Sequence, residues 1–235
     1  MAQHYKIGVV LVGAGSSSRM GADKMAIRLL HKPVLAWSVE AFEKHNMVNQ
    51  ISIVLSKNNM ALGHELRKAQ KWKKVFHICE GGERRQDSVR KGLQCIEDCD
   101  IVMIHDAARP FVTSKIIEQG IVAVKATGAA IAAVKVSDTI KTSNELLEVV
   151  ETSPRTNQYI IQTPQVFDYE LIMKAHKTVT ANVTDDATMV EMIGGKVMMF
   201  ESSKWNIKIT TPDDILLGEQ ILKLGLNSAK SELRI

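Results

Sequence analysis

Val12-Gly13-Ala14-Gly15-Ser16-Ser17-Ser18-Arg19-Met20-Gly21-Ala22-Asp23-Lys24 is the stretch around which the chain is organised. An apolar run, Ile7 to Val12, leads into it and reads as a buried strand. Small residues then let the backbone turn sharply and expose its N–H groups, and two basic side chains, Arg19 and Lys24, close the stretch. Free amides bind anions and cations neutralise charge, which is what a polyphosphate requires. The loop alone leaves three readings open. It can be an ordinary strand-to-helix turn rich in Gly and Ser. It can be a dinucleotide fingerprint, although Ser18 stands at the third glycine and the next strand, Ile51 to Leu55, ends in Ser56-Lys57 with no acid for a ribose. It can be a triphosphate loop of a nucleotidyltransferase, distinct from a Walker loop, which would end in Gly-Lys-Ser/Thr.

Composition narrows the setting. At 235 residues the chain predicts a single domain, 1–235, with room for an appended arm. No apolar run approaches bilayer length, and Met1 to Lys6 leads straight into a strand, so neither a membrane span nor a leader peptide is expected. The net charge of +4 suits an anionic small molecule and is too weak to argue for nucleic acid. Three cysteines, Cys79, Cys95 and Cys99, form no disulfide framework and point to a reducing cytoplasm. Cys95 and Cys99 lie one helical turn apart, but no histidine or second pair stands at metal-ligand spacing.

Outward from the loop, short apolar strands alternate with amphipathic helices. Strands are expected at Ile51 to Leu55, Val75 to Cys79, Ile101 to Ile104 and Ala129 to Val136. Helices are expected from Pro33, from Asn58, from Arg84 and after a Thr113 cap. This rhythm predicts an α/β fold with a mostly parallel sheet and helices on both faces, and ligands at the carboxyl ends of the strands. The Gly15 loop and Asp106 both fall at such ends. The rhythm breaks at Ser137. The segment from about 137 to 162 reads as a β-hairpin arm, too small to stand alone in water and expected to pack on a partner. Beyond it come a helix from Asp168, a short helix opened by Thr184-Asp185-Asp186, strands at Val197 to Phe200 and Asn206 to Ile209, and a closing helix from Pro212.

Six stretches, taken together, carry a resemblance: Gly13 to Lys24; Gly81-Gly82-Glu83-Arg84-Arg85-Gln86-Asp87-Ser88-Val89; His105 to Pro110; Asp138-Thr139-Ile140-Lys141; Gln162 to Gln165; and Asn206 to Asp214. In this order and spacing the chain resembles the 2-C-methyl-D-erythritol 4-phosphate cytidylyltransferases of the non-mevalonate isoprenoid pathway, over nearly its whole length. The resemblance implies a Rossmann-like nucleotidyltransferase domain, a hairpin arm exchanged across a homodimer, CTP as nucleotide, and magnesium bound mainly through the CTP phosphates rather than by the protein.

The resemblance also implies roles. The backbone of Ala14, Gly15, Ser16 and Ser18 would hold the triphosphate, and Arg19 and Lys24 would stabilise the transition state. Gly82 and Ser88 would read the cytosine. Asp106 and Ala107 would lie by the ribose and the incoming alcohol phosphate. Arg109 and Thr139 would contact the polyol, and Arg155 and Lys208 would hold its phosphate, with Thr139 and Arg155 arriving from the partner's arm. The bland alternatives are a solvated loop for Arg19 and Lys24, a structural or metal-facing acid for Asp106, and surface charges for Arg155 and Lys208. The chain departs from the family pattern at Ser17, Met25, Lys135, Pro154 and Gln158-Tyr159, so the arm fits the pattern least closely. A cytidylyltransferase for another polyol phosphate such as ribitol 5-phosphate, or a non-catalytic nucleotide-binding protein, are the competing functions. Asp106-Ala107-Ala108-Arg109-Pro110, with alanines where ribitol phosphate enzymes tend to carry a valine, favours methylerythritol phosphate.

Overall fold

Numbered along the chain, the elements are β1 (Ile7–Gly13), β2 (Arg28–Leu29), β3 (Lys32–Pro33), α1 (Val34–Glu43), β4 (Gln50–Leu55), α2 (Met60–Gln70), β5 (Val75–Glu80), α3 (Arg85–Gln94), β6 (Ile101–Asp106), α4 (Ser114–Thr127), β7 (Ala129–Lys135), β8 (Ile140–Ser143), β9 (Val149–Ser153), β10 (Tyr159–Asp168), α5 (Tyr169–Thr178), α6 (Asp186–Met192), β11 (Met198–Glu201) and α7 (Pro212–Leu224). The computed structural model describes residues 5–15 and 24–226. Seven strands make one sheet in the order β11-β7-β10-β6-β1-β4-β5. Only β10 runs against the others, pairing antiparallel with both β6 and β7.

The apolar run of β1 lies inside this sheet, between β6 and β4, with helices over both its faces, and every residue of the strand except Val12 is buried. Successive side chains of a strand point to opposite faces. Ile7, Val9 and Leu11 accordingly pack with apolar residues of α1, α2 and α4, while Val10 packs with those of α3, α5 and α6. Burial of this kind stabilises by roughly 25 cal/mol per Å² of apolar surface, which is why an unbroken apolar run reads as a central strand. A third cluster, Leu29, Val34, Phe111, Ile209 and Ile221, ties α7 and the β2–β3 ribbon to the main body. Helix starts are capped by side chains: Thr113 Oγ1 accepts from Ile116 N, as the sequence predicts, and the structure adds Asp168 accepting from Leu171 N and Asp185 from Thr188 N.

Register sets the site. Val12 of β1 lies opposite Asp106 of β6, and Gly13 opposite Leu55 of β4, so the loop after β1 and the acid ending β6 emerge side by side.

Two sequence expectations need correction. Asn206 to Ile209 forms no strand. Ile209 N donates to Ala108 O at 2.8 Å, but side chains rather than a ladder fix the segment, with Asn206 and Ile209 fully buried. The arm is also shorter than expected. Tyr159, Ile160 and Ile161 already pair with β7, so the sheet takes the chain back before Gln162. The hairpin itself is β8 paired antiparallel with β9, closed by Asn144, whose Oδ1 accepts from Leu146 N and Glu148 N. Its residues are exposed throughout except Ser153, which is half-buried.

Candidate active site

Two clefts open at the carboxyl ends of the central strands. The first, of about 610 Å³, is lined by Gly13, Ala14, Gly15 and Lys24 on one side and by Gly82 and Ser88 on the other. The second, of about 600 Å³, is lined by Arg109, Thr163, Gln165, Asp185 and residues of α6 and β11. Arg85, Asp106 and Lys208 line both, so the two clefts meet at these three charged side chains.

The first cleft depends on small residues. A Cβ at Gly81 would stand 2.3 Å from the Ala14 Cβ and 2.7 Å from Ser88 Oγ, so only glycine lets this turn approach the loop after β1. Gly82 N donates to Ser88 Oγ at 3.0 Å, and Ser88 Oγ is 3.2 Å from the Arg84 carbonyl. The first turn of α3 thus lines the cleft and brings a helix N-terminus toward it, a favourable place for negative charge.

The junction is built around Asp106. Its carboxylate has Lys208 Nζ at 2.7 Å, Arg85 Nε at 3.5 Å and Arg109 Nε at 3.7 Å. Burial alone would raise its pKa, but Lys208, Arg85 and Arg109 outweigh burial and hold it well below the usual carboxylate range. Asp106 N donates to Thr163 Oγ1 at 3.0 Å, and the same oxygen lies 3.1 Å from His105 Nδ1. His105 Nε2 lies 3.0 Å from the Arg109 carbonyl, which can only accept. The imidazole therefore carries its proton on Nε2 and accepts from Thr163 at Nδ1. Burial pushes its pKa down to about 4, so it is neutral near pH 7.

Behind the junction, Arg85 Nη1 is 2.7 Å from Oδ2 of Asp186, a carboxylate with no exposed surface. Burial works against the Arg85 charge, but Asp186 and Asp106 together outweigh it and keep the guanidinium protonated. Lys208 is placed by Asn206. The Asn206 side-chain amide donates to Thr163 O at 2.9 Å and Gln162 Oε1 at 3.1 Å, and the Asn206 backbone carbonyl accepts from Arg109 Nη1 at 2.8 Å. Asn206 thus fixes the segment that carries Lys208 and, through its backbone carbonyl, holds Arg109.

The structure brings Ala14, Gly15, Lys24, Gly82, Ser88, Asp106 and Lys208 together at the first cleft, and Arg109 joins at the second. Ser16, Ser18 and Arg19 lie outside the described residues. Ala107 sits beneath the cleft rather than on its lining: it is fully buried, its N–H donates to Val12 O and its carbonyl accepts from Ser38 Oγ. Thr139 and Arg155 are exposed on the arm and line neither cleft of their own chain. Sequence reasoning missed Arg85, Thr163, Asp186 and Asn206 as site builders. Each lies inside or beside a quoted motif, yet nothing in residue type separates Arg85 from Arg84, or the buried Asp186 from the capping Asp185.

A mostly parallel α/β sheet, with one cleft lined by the small residues that end β1 and by the turn after β5, and a second cleft joined to it through a cationic junction, has the form of a nucleotidyltransferase. The sequence matches the family model of IspD, 2-C-methyl-D-erythritol 4-phosphate cytidylyltransferase, over residues 7–224. The chain belongs to that family. The enzyme of this name from Dehalococcoides mccartyi is 44% identical over 221 residues, covering 94% of this chain and 97% of the relative. That from Alkaliphilus oremlandii is 42% identical over 225 residues, covering 93% and 95%. In three dimensions the chain resembles the 4-diphosphocytidyl-2C-methyl-D-erythritol synthase of Anaerococcus prevotii, with TM-score 0.84 and 26% identity over 94% of this chain and all of the other.

Proposed function

We propose that the chain transfers CMP from CTP to 2-C-methyl-D-erythritol 4-phosphate, giving 4-diphosphocytidyl-2-C-methyl-D-erythritol and pyrophosphate. The observation that carries this is the pair of clefts meeting at Asp106, Arg85 and Lys208. One cleft suits a pyrimidine triphosphate and the other a small polyol phosphate, with their phosphates brought together at the cations.

The substrate phosphate needs no general base, because it is already an anionic nucleophile. One of its oxygens forms the new bond to the α-phosphorus of CTP, the bond to the β-phosphate oxygen breaks in line, and pyrophosphate leaves with that electron pair. The obstacle is anion meeting anion, so preorganised charge is the protein's main contribution. The backbone of Ala14, Gly15, Ser16 and Ser18 binds the triphosphate, and Arg19 and Lys24 neutralise it as charge shifts to the leaving group. Gly82 and Ser88 read the cytosine in a pocket too small for a purine. Asp106, on the floor that Ala107 supports, orients the ribose. Lys208 and Arg109 receive the polyol phosphate, and Thr139 and Arg155 of a partner subunit's arm complete its binding. A magnesium ion would be held mainly by the CTP phosphates and would supply further charge neutralisation there. The donor chemistry fits that mode: Asp106 already has three protein cations around it, so the phosphates are the better-matched ligands for the ion.

The same reading makes the molecule a homodimer joined through the arm, one domain per chain, working in the cytoplasm, where thiols such as Cys79, Cys95 and Cys99 stay free. No helix among the described residues is long and apolar enough to cross a membrane.

The test is pyrophosphate release by the purified protein with CTP, UTP or ATP against a panel of polyol phosphates. CTP with 2-C-methyl-D-erythritol 4-phosphate is expected to dominate. Comparable turnover with ribitol 5-phosphate, or with ATP, overturns the reading.

A further inference from the structure

Asp186 has no exposed surface and opens α6, and it lines neither cleft. Its backbone is fixed, because Asp186 N and Ala187 N both donate to Gln165 Oε1 at 3.1 Å. A buried carboxylate demands a cation. Arg85 Nη1 meets it at 2.7 Å, while His176 Nε2 stands off at 3.6 Å. Arg85 is thereby tied down from behind, and its Nε still faces Asp106 Oδ1 at 3.5 Å. The other two cations on Asp106 differ in kind. Lys208 reaches it at 2.7 Å through a flexible stem that is 38% exposed, and Arg109 lies at the longer 3.7 Å with its Nη1 on the Asn206 carbonyl.

We infer that Arg85 is a positioning residue for the transfer reaction: anchored by Asp186, it stays on Asp106 while Lys208 is withdrawn to the phosphate of the incoming polyol phosphate. This rests on the assignment of Lys208 to that phosphate. An ammonium carries one charge, and whatever share it gives to the phosphate is lost to Asp106. With Arg85 fixed in place, Asp106 keeps a counter-charge and Lys208 is free to exchange. Without Arg85, the carboxylate competes with the substrate for Lys208.

The test is steady-state kinetics with CTP and 2-C-methyl-D-erythritol 4-phosphate on Arg85→Gln, Asp186→Asn, the double variant and Lys208→Ala. Arg85→Gln strands a buried carboxylate and can unfold the protein, whereas the double variant removes both charges and leaves no orphan. The KM for the polyol phosphate is expected to rise about tenfold or more in the double variant, and in Arg85→Gln if it folds, with the KM for CTP little changed. Asp186→Asn keeps the Arg85 charge but loosens its anchor, and is expected to raise the same KM by clearly less than the double variant does. A merely structural pair would make all three variants fail alike. Equal rises in Asp186→Asn and the double variant, or a fall in kcat with both KM values unchanged, overturn the inference. Lys208→Ala separates the two levels: if it leaves the KM for the polyol phosphate unchanged, the reading of the site falls as well. If it raises that KM while the double variant does not, only the role of Arg85 falls.

Discussion

Asp106 and His105 are adjacent on one strand, yet the protein holds one charged and the other neutral. Asp106 is surrounded by Lys208, Arg85 and Arg109, whereas His105 is enclosed between Thr163 and a carbonyl. The neutral imidazole has a consequence for stability. Its folded pKa, about 4, lies below the ordinary value of 6.5. The unfolded chain therefore binds more protons between those values, and stability falls as pH drops from about 6.5 to about 4, by roughly 3 kcal/mol for this group. His45, buried and shifted downward mainly by burial, acts in the same direction. Denaturant unfolding measured across this pH range is expected to show that slope, and His105→Asn to flatten it in part. An unchanged slope in the variant would place the acid sensitivity elsewhere. At the first cleft, Lys24→Ala and Arg19→Ala are each expected to lower kcat about a hundredfold or more with the fold intact. Near-normal kcat in either would reduce that residue to a loop-shaping role.

At the scale of elements, the nucleotide cleft is a contact between two turns, the one after β1 and the one after β5. Gly81 is where they touch. Gly81→Val would drive its side chain into Ala14 and Ser88, which must then separate. The expected result is a KM for CTP raised about tenfold with little change in the KM for the polyol phosphate, read from initial rates. Equal changes in both would mean that the turn does more than shape the base pocket. This scale also shows what the sequence makes legible. β1, β4, β6 and β7 are short, largely apolar runs buried on both faces, and their shortness and β-branched residues separate them from buried helix segments. Thr113 and Thr211 announce helix starts by local chemistry alone. Asn206 to Ile209 deceived the same reasoning. Ile207-Lys208-Ile209 alternates like a strand, but the segment is pinned by the Asn206 amide to Gln162 and Thr163, contacts more than forty residues distant that no local pattern encodes. The Arg85–Asp186 pair was hidden for the same reason, since its partners lie 101 positions apart.

At the scale of the whole molecule, the arm poses the question of what covers it. Leu146 is 79% exposed and Leu147 84%, with Val149, Val150 and Ile160 also largely in solvent. A two-stranded ribbon that buries nothing of its own is marginal in water, and an apolar patch of this kind calls for a partner surface. Thr139 and Arg155 ride on the same arm and line neither cleft of their own chain. An arginine there suits a phosphate, because its planar fork grips two oxygens at once. Both facts are met if each arm crosses to the other subunit and completes the polyol phosphate site there. A mixed dimer decides the matter, with Arg155→Ala in one subunit and Lys24→Ala in the other. If the arms cross, one site receives both lesions, and the other combines an intact loop with an intact arm. The mixed dimer then shows activity that neither mutant homodimer has, with a normal KM for the polyol phosphate at the surviving site. If each arm serves its own chain, every site carries one lesion and activity stays as low as in the homodimers. Absence of recovery in a verified mixed dimer would make the arm a lid on its own subunit and leave its apolar face to some other contact.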